Sequence, residues 1–321
     1  MMITLSNKKT IYSLRGEEPQ KHIAEYFQIL KVNDRYHLYY CCKNTIKLVI
    51  SDTLSFIDIK AVPVIKQAPG GCFCLIQLDK LYMLCGSHIS NKEEKETPIP
   101  DLVWPQEKRT VTNWLEKRSD RKNGMYLLSS DDGINWMGAS DTPVLHSFVS
   151  SSSCPLGSIG FDTSPYLIKH KGEFLYYGRL NSSLDERGIY VRKSKDLHRW
   201  GGPQRIIISN ESNNKFKKNY YNPVLFRYNE YIYMFTPYFE ACGTTSRNCH
   251  SGQTLLLKST DGISWEIIDH CLPHDGKYKD RVNDVYIQND KLLIFYRENI
   301  LQDNQRLVSF VLDAGCFTES Q

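Results

Sequence analysis

Four carboxylates stand where a repeating pattern can bring them to one place: Glu25, Asp162, Asp284 and Glu240. The first three come just before an aromatic-rich pair of strand-like runs, and Glu240 comes just after one. Two carboxyl groups on opposite sides of a glycosidic bond can divide the acid and base work of cleaving it. Crowding carboxylates together also raises one pKa enough to make a proton donor. Arg179 and Arg297 follow two of the same runs and suit sugar hydroxyls or a substrate anion. Asn222, His88 and Trp104 complete the candidate binding set. The competing expectation is that these acids pair with Arg179 and Arg297 or cap backbone amides.

The elements that must position these residues are five hairpins. They run from Tyr26 to Tyr40, Cys72 to Leu84, Pro165 to Tyr177, Val224 to Phe235 and Val285 to Tyr296. Their centres are Asn33-Asp34, Asp79, Lys171-Gly172, Asn229-Glu230 and Asn289-Asp290, which is hairpin-turn chemistry. After three of them comes a second recurring unit, Ser-x-Asp-[Gly/Leu]-x-x-Trp. Its copies are Ser130–Trp136, Ser194–Trp200 and Ser259–Trp265, with a degenerate copy within Leu48–Phe56. A motif returning about every 60 residues indicates a stacked or radial repeat. Its Asp-Gly forms a tight turn, and its Trp reads as an anchor between neighbouring sheets. The first copy also fits a frame one residue earlier, Ser129-x-Asp131-x-Gly133-x-x-Trp136.

Five units of four strands predict an all-β chain: a single five-bladed β-propeller of four-stranded antiparallel blades over residues 1–321. Leu307–Leu312 supplies the third strand of the last blade, and the N-terminal Lys9–Leu14 is expected as its outer strand. The spacing breaks once, at about 87–123, an insertion in the second blade expected over the channel mouth. In a propeller the first strand of each blade lines the channel. The residues before each hairpin and after it therefore gather at one mouth, where ligands bind. The Ser-x-Asp turns belong to the opposite face and are expected to be structural.

Composition narrows the partners. A formal net charge of +4 with dispersed Lys and Arg argues against nucleic acid. No run approaches the ~18 apolar residues of a membrane span. The N-terminal residues lack the apolar core of a secretory signal, so a cytoplasmic protein with its ten cysteines reduced is expected. Cys72-Phe73-Cys74 has the wrong spacing for a zinc knuckle, and no second pair accompanies Cys242 and Cys249-His250. No metal centre or cofactor is predicted.

The hairpin series, with Asp162 three residues before Pro165, Gly178-Arg179 closing a second strand and Ser194-x-Asp196 downstream, resembles the five-bladed propeller glycosidases. These are glycoside hydrolase families 32, 43, 68 and their relatives. The resemblance implies a base or nucleophile-side carboxylate at Glu25, where the family carries Asp. It implies a pKa-tuning role for Asp162. The family's acid position falls at Tyr220-Tyr221-Asn222, which holds no carboxylate, so the acid must come from Asp284 or Glu240. A carbohydrate-processing hydrolase, or a related transglycosidase or phosphorolytic transferase, is the implied function. The departure at the acid position keeps a non-catalytic carbohydrate-binding or interaction propeller as the alternative.

Overall fold

The computed structural model describes residues 6–13, 27–42, 45–65, 73–87, 124–140, 143–146, 148–149, 158–159, 165–181, 187–209, 218–220, 222–240, 252–273, 281–289, 291–300 and 304–313. Among the described residues there are strands and turns and no helix. After β1 (Ser6–Ser13) the first meander is β2 (Phe27–Val32), β3 (Arg35–Cys42), β4 (Thr45–Ser51) and β5 (Val62–Ile65). The second is β6 (Phe73–Gln77), β7 (Leu81–Ser87) and β8 (Gly124–Ser130), edged by β9 (Met137–Gly138) and β10 (Leu145–His146). The short pair β11 (Phe148–Val149) and β12 (Ser158–Ile159) follows. The third meander is β13 (Tyr166–His170), β14 (Glu173–Asn181), β15 (Arg187–Ser194) and β16 (Gln204–Arg205). Then come β17 (Ile207–Ser209) and β18 (Lys218–Tyr220), and the fourth meander, β19 (Val224–Tyr228), β20 (Tyr231–Glu240), β21 (Gly252–Ser259) and β22 (Ser264–Pro273). The fifth is β23 (Arg281–Gln288), β24 (Lys291–Ile300) and β25 (Asn304–Asp313), with β1 on its free edge.

The chain is an all-β propeller. The innermost strands touch in a closed ring: β2 with β6, β6 with β13, β13 with β19, β19 with β23, and β23 with β2. Hydrogen bonding gathers the strands into four sheets rather than five. The reason is β18, which pairs with both β15 and β20 and so fuses the third and fourth meanders into one twelve-stranded sheet. Five separate four-stranded antiparallel blades were expected; five meanders are present, but they form sheets of four, five, twelve and four strands, with parallel pairs at β15–β18 and β17–β22, and each meander is called a blade below.

Local chemistry accounts for the hairpins. Asn33 and Asp34 both take positive φ (46° and 65°), as do Lys171 and Gly172 (47° and 81°). Those are the values of a type I′ turn, whose twist matches the strands it joins. The second-blade turn is longer, with the Leu78 N–H donating to Lys80 O at 2.8 Å.

Each Ser-x-Asp turn is a small hydrogen-bonded cage. In the first copy the Gly133 N–H donates to Ser130 Oγ (2.8 Å), and the Ile134 and Asn135 N–H groups donate to Asp132 Oδ1 (both 2.8 Å). The working frame is therefore Ser130 and Asp132, in step with Ser194/Asp196 and Ser259/Asp261. The N–H groups of Asn135 and Ile134 hold the Asp132 carboxyl well below its usual range. These turns also link blades. Tyr39 on β3 donates to Gly133 O of the next blade (2.9 Å), and Tyr177 on β14 donates to Gly262 O (2.8 Å). Trp136 and Trp265 stand edge-on to those same tyrosines, so these two copies join neighbouring blades as expected, whereas Trp200 of the second copy stands edge-on to Tyr176 of its own blade.

The ring closes as the N-terminal strand was expected to close it. β1 pairs with β25 from Ser6↔Val311 to Ser13↔Arg306, while its buried Ile11 and Tyr12 pack with Phe27, Tyr40 and Phe56 of the first blade. Phe56 N–H donates to Ile11 O at 2.7 Å. One strand thus belongs to the last blade by its ladder and to the first by its side chains.

Candidate functional site

Counted upward from its hairpin turn, each blade brings a fifth inner-strand residue to the axis. In the first, third and fifth blades these are Gln28, Tyr166 and Asp284, paired with Tyr39, Tyr177 and Phe295. The three are buried and form one layer. Tyr166 OH donates to Asp284 Oδ1 (2.7 Å), as does the Val285 N–H (2.9 Å). The Ile29 N–H donates to Asp284 Oδ2 (2.5 Å), and the Leu75 N–H donates to Gln28 Oε1 (2.7 Å). Four of the five blades are therefore tied by polar groups at the axis.

Burial pushes the Asp284 carboxyl up to about 7, against the pull of Ile29 N–H, Tyr166 OH and Val285 N–H, which favour the ionised form. Burial first, and then the Asp284 charge, raise the Tyr166 phenol well above its usual value. A carboxyl held there can keep or release a proton near neutrality.

Asp284 was expected just before its hairpin. It lies inside β23, because a bulge between Val282 and Asp284 lets the ladder continue up to Arg281↔Arg297. Arg179, Glu240 and Arg297, expected just after their hairpins, have backbones within β14, β20 and β24. The second strands run on because a third partner carries their ends: Arg179 lies opposite Ile189, Glu240 opposite Lys218 and Arg297 opposite Leu307. Glu25, Asp162, His88, Trp104 and the insertion beyond Ser87 lie outside the described residues.

Asn222 precedes β19 by two residues. It is 2% exposed, takes φ of 43°, and neither its Nδ2 nor its Oδ1 has a hydrogen-bond partner. Leaving a buried amide unsatisfied costs about 1–3 kcal/mol, so such a group is an opening for a ligand. Tyr220, in the same short segment, is buried against Tyr238.

Sequence reasoning did not single out Gln28 or Tyr166. Their signal was present as position: each is the fifth residue back from its hairpin turn, as Asp284 is. Among the described residues no group of three His, Cys, Asp or Glu side chains is placed to hold a metal ion. Cys41, Cys74 and Cys85 are buried and form no disulfide. No helix among the described residues is long and apolar enough to cross a membrane.

Solved structures share this architecture. A thermostable family-43 glycoside hydrolase matches with a TM-score of 0.56 at 16% identity, over 90% of this chain and 89% of its own. An endo-arabinase from Bacteroides thetaiotaomicron matches with 0.55 at 14% identity, over 88% and 92%. An N-acetylgalactosamine deacetylase from F. plautii, in complex with blood group B trisaccharide, matches with 0.55 at 11% identity, over 97% and 92%. No family model and no curated protein matches the sequence. At these identities the likeness is one of fold: the chain has the propeller architecture of glycoside hydrolases and related carbohydrate-active proteins.

Proposed function

We propose that this protein is a glycan-processing enzyme of the glycoside hydrolase type, a hydrolase or a related transferase or phosphorylase working at the channel mouth. The observation that carries the reading is the propeller fold shared with solved glycoside hydrolases, with a buried polar layer of Gln28, Tyr166 and Asp284 tying the inner strands together. The fold alone does not choose a reaction, because one architecture hosts several chemistries.

In this reading Glu25 is the base or nucleophile-side carboxylate and Asp162 tunes and orients. Asp284, with both oxygens occupied by donors, positions the ring around the site and keeps a proton in reserve, which leaves Glu240 as the acid. Arg179, Arg297 and Asn222 bind substrate, with His88 and Trp104 at the rim. One sequence feature favours a second reading, a binding propeller without turnover: the family's acid position holds Tyr220-Tyr221-Asn222.

The test is a panel of aryl-glycosides and oligosaccharides, with and without phosphate or a sugar acceptor, run on wild type and Asp162→Asn. Turnover by wild type and its loss in a folded Asp162→Asn is the expected result. Full activity in the variant would remove Asp162 from the mechanism. Glycan binding with no turnover across the panel would select the second reading.

A further inference from the structure

A chain of hydrogen bonds crosses the axis and joins four inner strands. The Leu75 N–H on β6 donates to Gln28 Oε1 on β2 (2.7 Å). The Gln28 side chain hydrogen-bonds the Tyr166 phenol on β13 in the sense that favours its ionised form, which makes Gln28 the donor. Tyr166 OH donates to Asp284 Oδ1 on β23 (2.7 Å). The Val285 N–H adds a second bond to Oδ1, and the Ile29 N–H one to Oδ2. All three side chains are buried.

From Gln28 onward every donor in this chain points toward Asp284, which suits a carboxylate. It does not suit a carboxylic acid, which has a hydrogen of its own to donate. The N–H groups of Ile29 and Val285 cannot accept that hydrogen; among the described partners only the Tyr166 oxygen can. The Tyr166 hydrogen must then turn away, toward Gln28. Gln28 can accept it only through Oε1, the atom that already serves Leu75. Both forms are within reach near neutrality, since burial holds the Asp284 carboxyl at about 7. Tyr166 does not titrate in its place, because burial and then the Asp284 charge raise its phenol well above the usual value. The other titratable group acting on the trio, among the described residues, is Cys74 on β6, whose thiol burial keeps protonated. From β2 come Gln28 and Ile29, and β19, which touches both β13 and β23, brings Val224 at this height.

We propose that Gln28, Tyr166 and Asp284 form a one-proton switch: when a proton from solvent binds Asp284 Oδ1, the hydrogen-bond chain across the axis reverses direction. On the alkaline side Gln28 donates to Tyr166 and Tyr166 to the carboxylate. On the acid side Asp284 donates to Tyr166, Tyr166 donates to Gln28 Oε1, and the Leu75 bond weakens. One negative charge leaves the axis, and a tie between the first and second blades loosens with it. The switch does not depend on the glycan reading.

The experiment is amide NMR of the intact chain with isotope-labelled isoleucine and leucine, followed across about pH 5–9. The Ile29 N–H reads Asp284 directly, and the Leu75 N–H reads the far end of the chain. The expected result in wild type is that both resonances shift with one shared midpoint near 7. In Tyr166→Phe the carboxylate loses a donor, so the Ile29 curve should persist but move up by about one to two pH units, while the Leu75 curve goes flat. In Asp284→Asn both should be flat. A flat Leu75 beside a titrating Ile29 in wild type overturns the reversal, because the proton then stops at Asp284. A Leu75 curve that survives Tyr166→Phe also overturns it, because the signal then bypasses the phenol. If neither wild-type resonance titrates, no proton is exchanged at the axis and the switch is absent. The wild-type curves alone can refute the inference, so it stays testable if a variant fails to fold.

Discussion

Replacing Gly262 by Ala tests how the blades are joined, and its effect can be worked from the structure. Gly262 takes φ of +76° in the turn of the fourth blade. A Cβ there would stand 2.6 Å from the Tyr177 hydroxyl and 2.7 Å from Leu175 Cδ1. Gly172 is the natural control: its φ is +81°, and a Cβ there meets nothing within 4 Å. Gly172→Ala should therefore report backbone strain alone, about 1–2 kcal/mol. Gly262→Ala adds overpacking of about 1–3 kcal/mol. Moving Tyr177 also strains its 2.8 Å hydrogen bond to Gly262 O, worth about 1 kcal/mol. The expected loss is about 3–6 kcal/mol by urea denaturation. Tyr177→Phe with Gly262→Ala should lose less than the two single changes together, because the hydroxyl that clashes is gone. A Gly262→Ala variant no less stable than Gly172→Ala would show that the Tyr177 contact does not hold the seam, and the account of blade joining would fail.

Three further outcomes follow from the same physics. The Asp284 carboxyl sits at about 7 in the folded chain against an ordinary 3.8. The folded state therefore binds more protons there between those values: its stability is full below the lower value and declines as pH rises through the upper one. Asp284→Asn should flatten that decline between about pH 4 and about pH 7 while lowering stability overall, and an unchanged slope in urea midpoints would refute the assignment. His37 acts in the opposite sense: burial, then the Arg35 charge, lowers its pKa, so its contribution is present above 6.5 and lost as pH falls; His37→Gln should make unfolding less acid-sensitive, and a steeper acid limb would contradict this. Ile11 is 1% exposed at the junction of the last and first blades, so Ile11→Ala should cost about 2–5 kcal/mol, and deletion of residues 1–15 should lower the melting temperature sharply; an unchanged melting curve would mean β1 does not close the ring.

The sequence by itself determined the hairpins, the repeating turns and the ring-closing strand. Their signals are local: alternating side chains, Asn, Asp and Gly where φ must turn positive, and a Ser and Asp placed to bond backbone within a few residues. Two neighbouring frames for the first turn look alike on paper, and Ser130 and Asp132 were selected by which hydroxyl and carboxylate face the free N–H groups of Gly133, Ile134 and Asn135. What only the tertiary structure decided is the axis. Gln28, Tyr166 and Asp284 are separated by more than a hundred residues, yet share one layer because each lies five pairs above a turn in a ring of touching strands. Asp284 reads as a mouth residue in the sequence; a bulge carries its strand upward and burial raises its pKa. The fusion of two blades by Lys218–Tyr220 was equally hidden, since pairing with β15 and β20 depends on where neighbouring blades bring those edges. Local rules fix how each blade folds; what meets at the axis is set by how the blades stack.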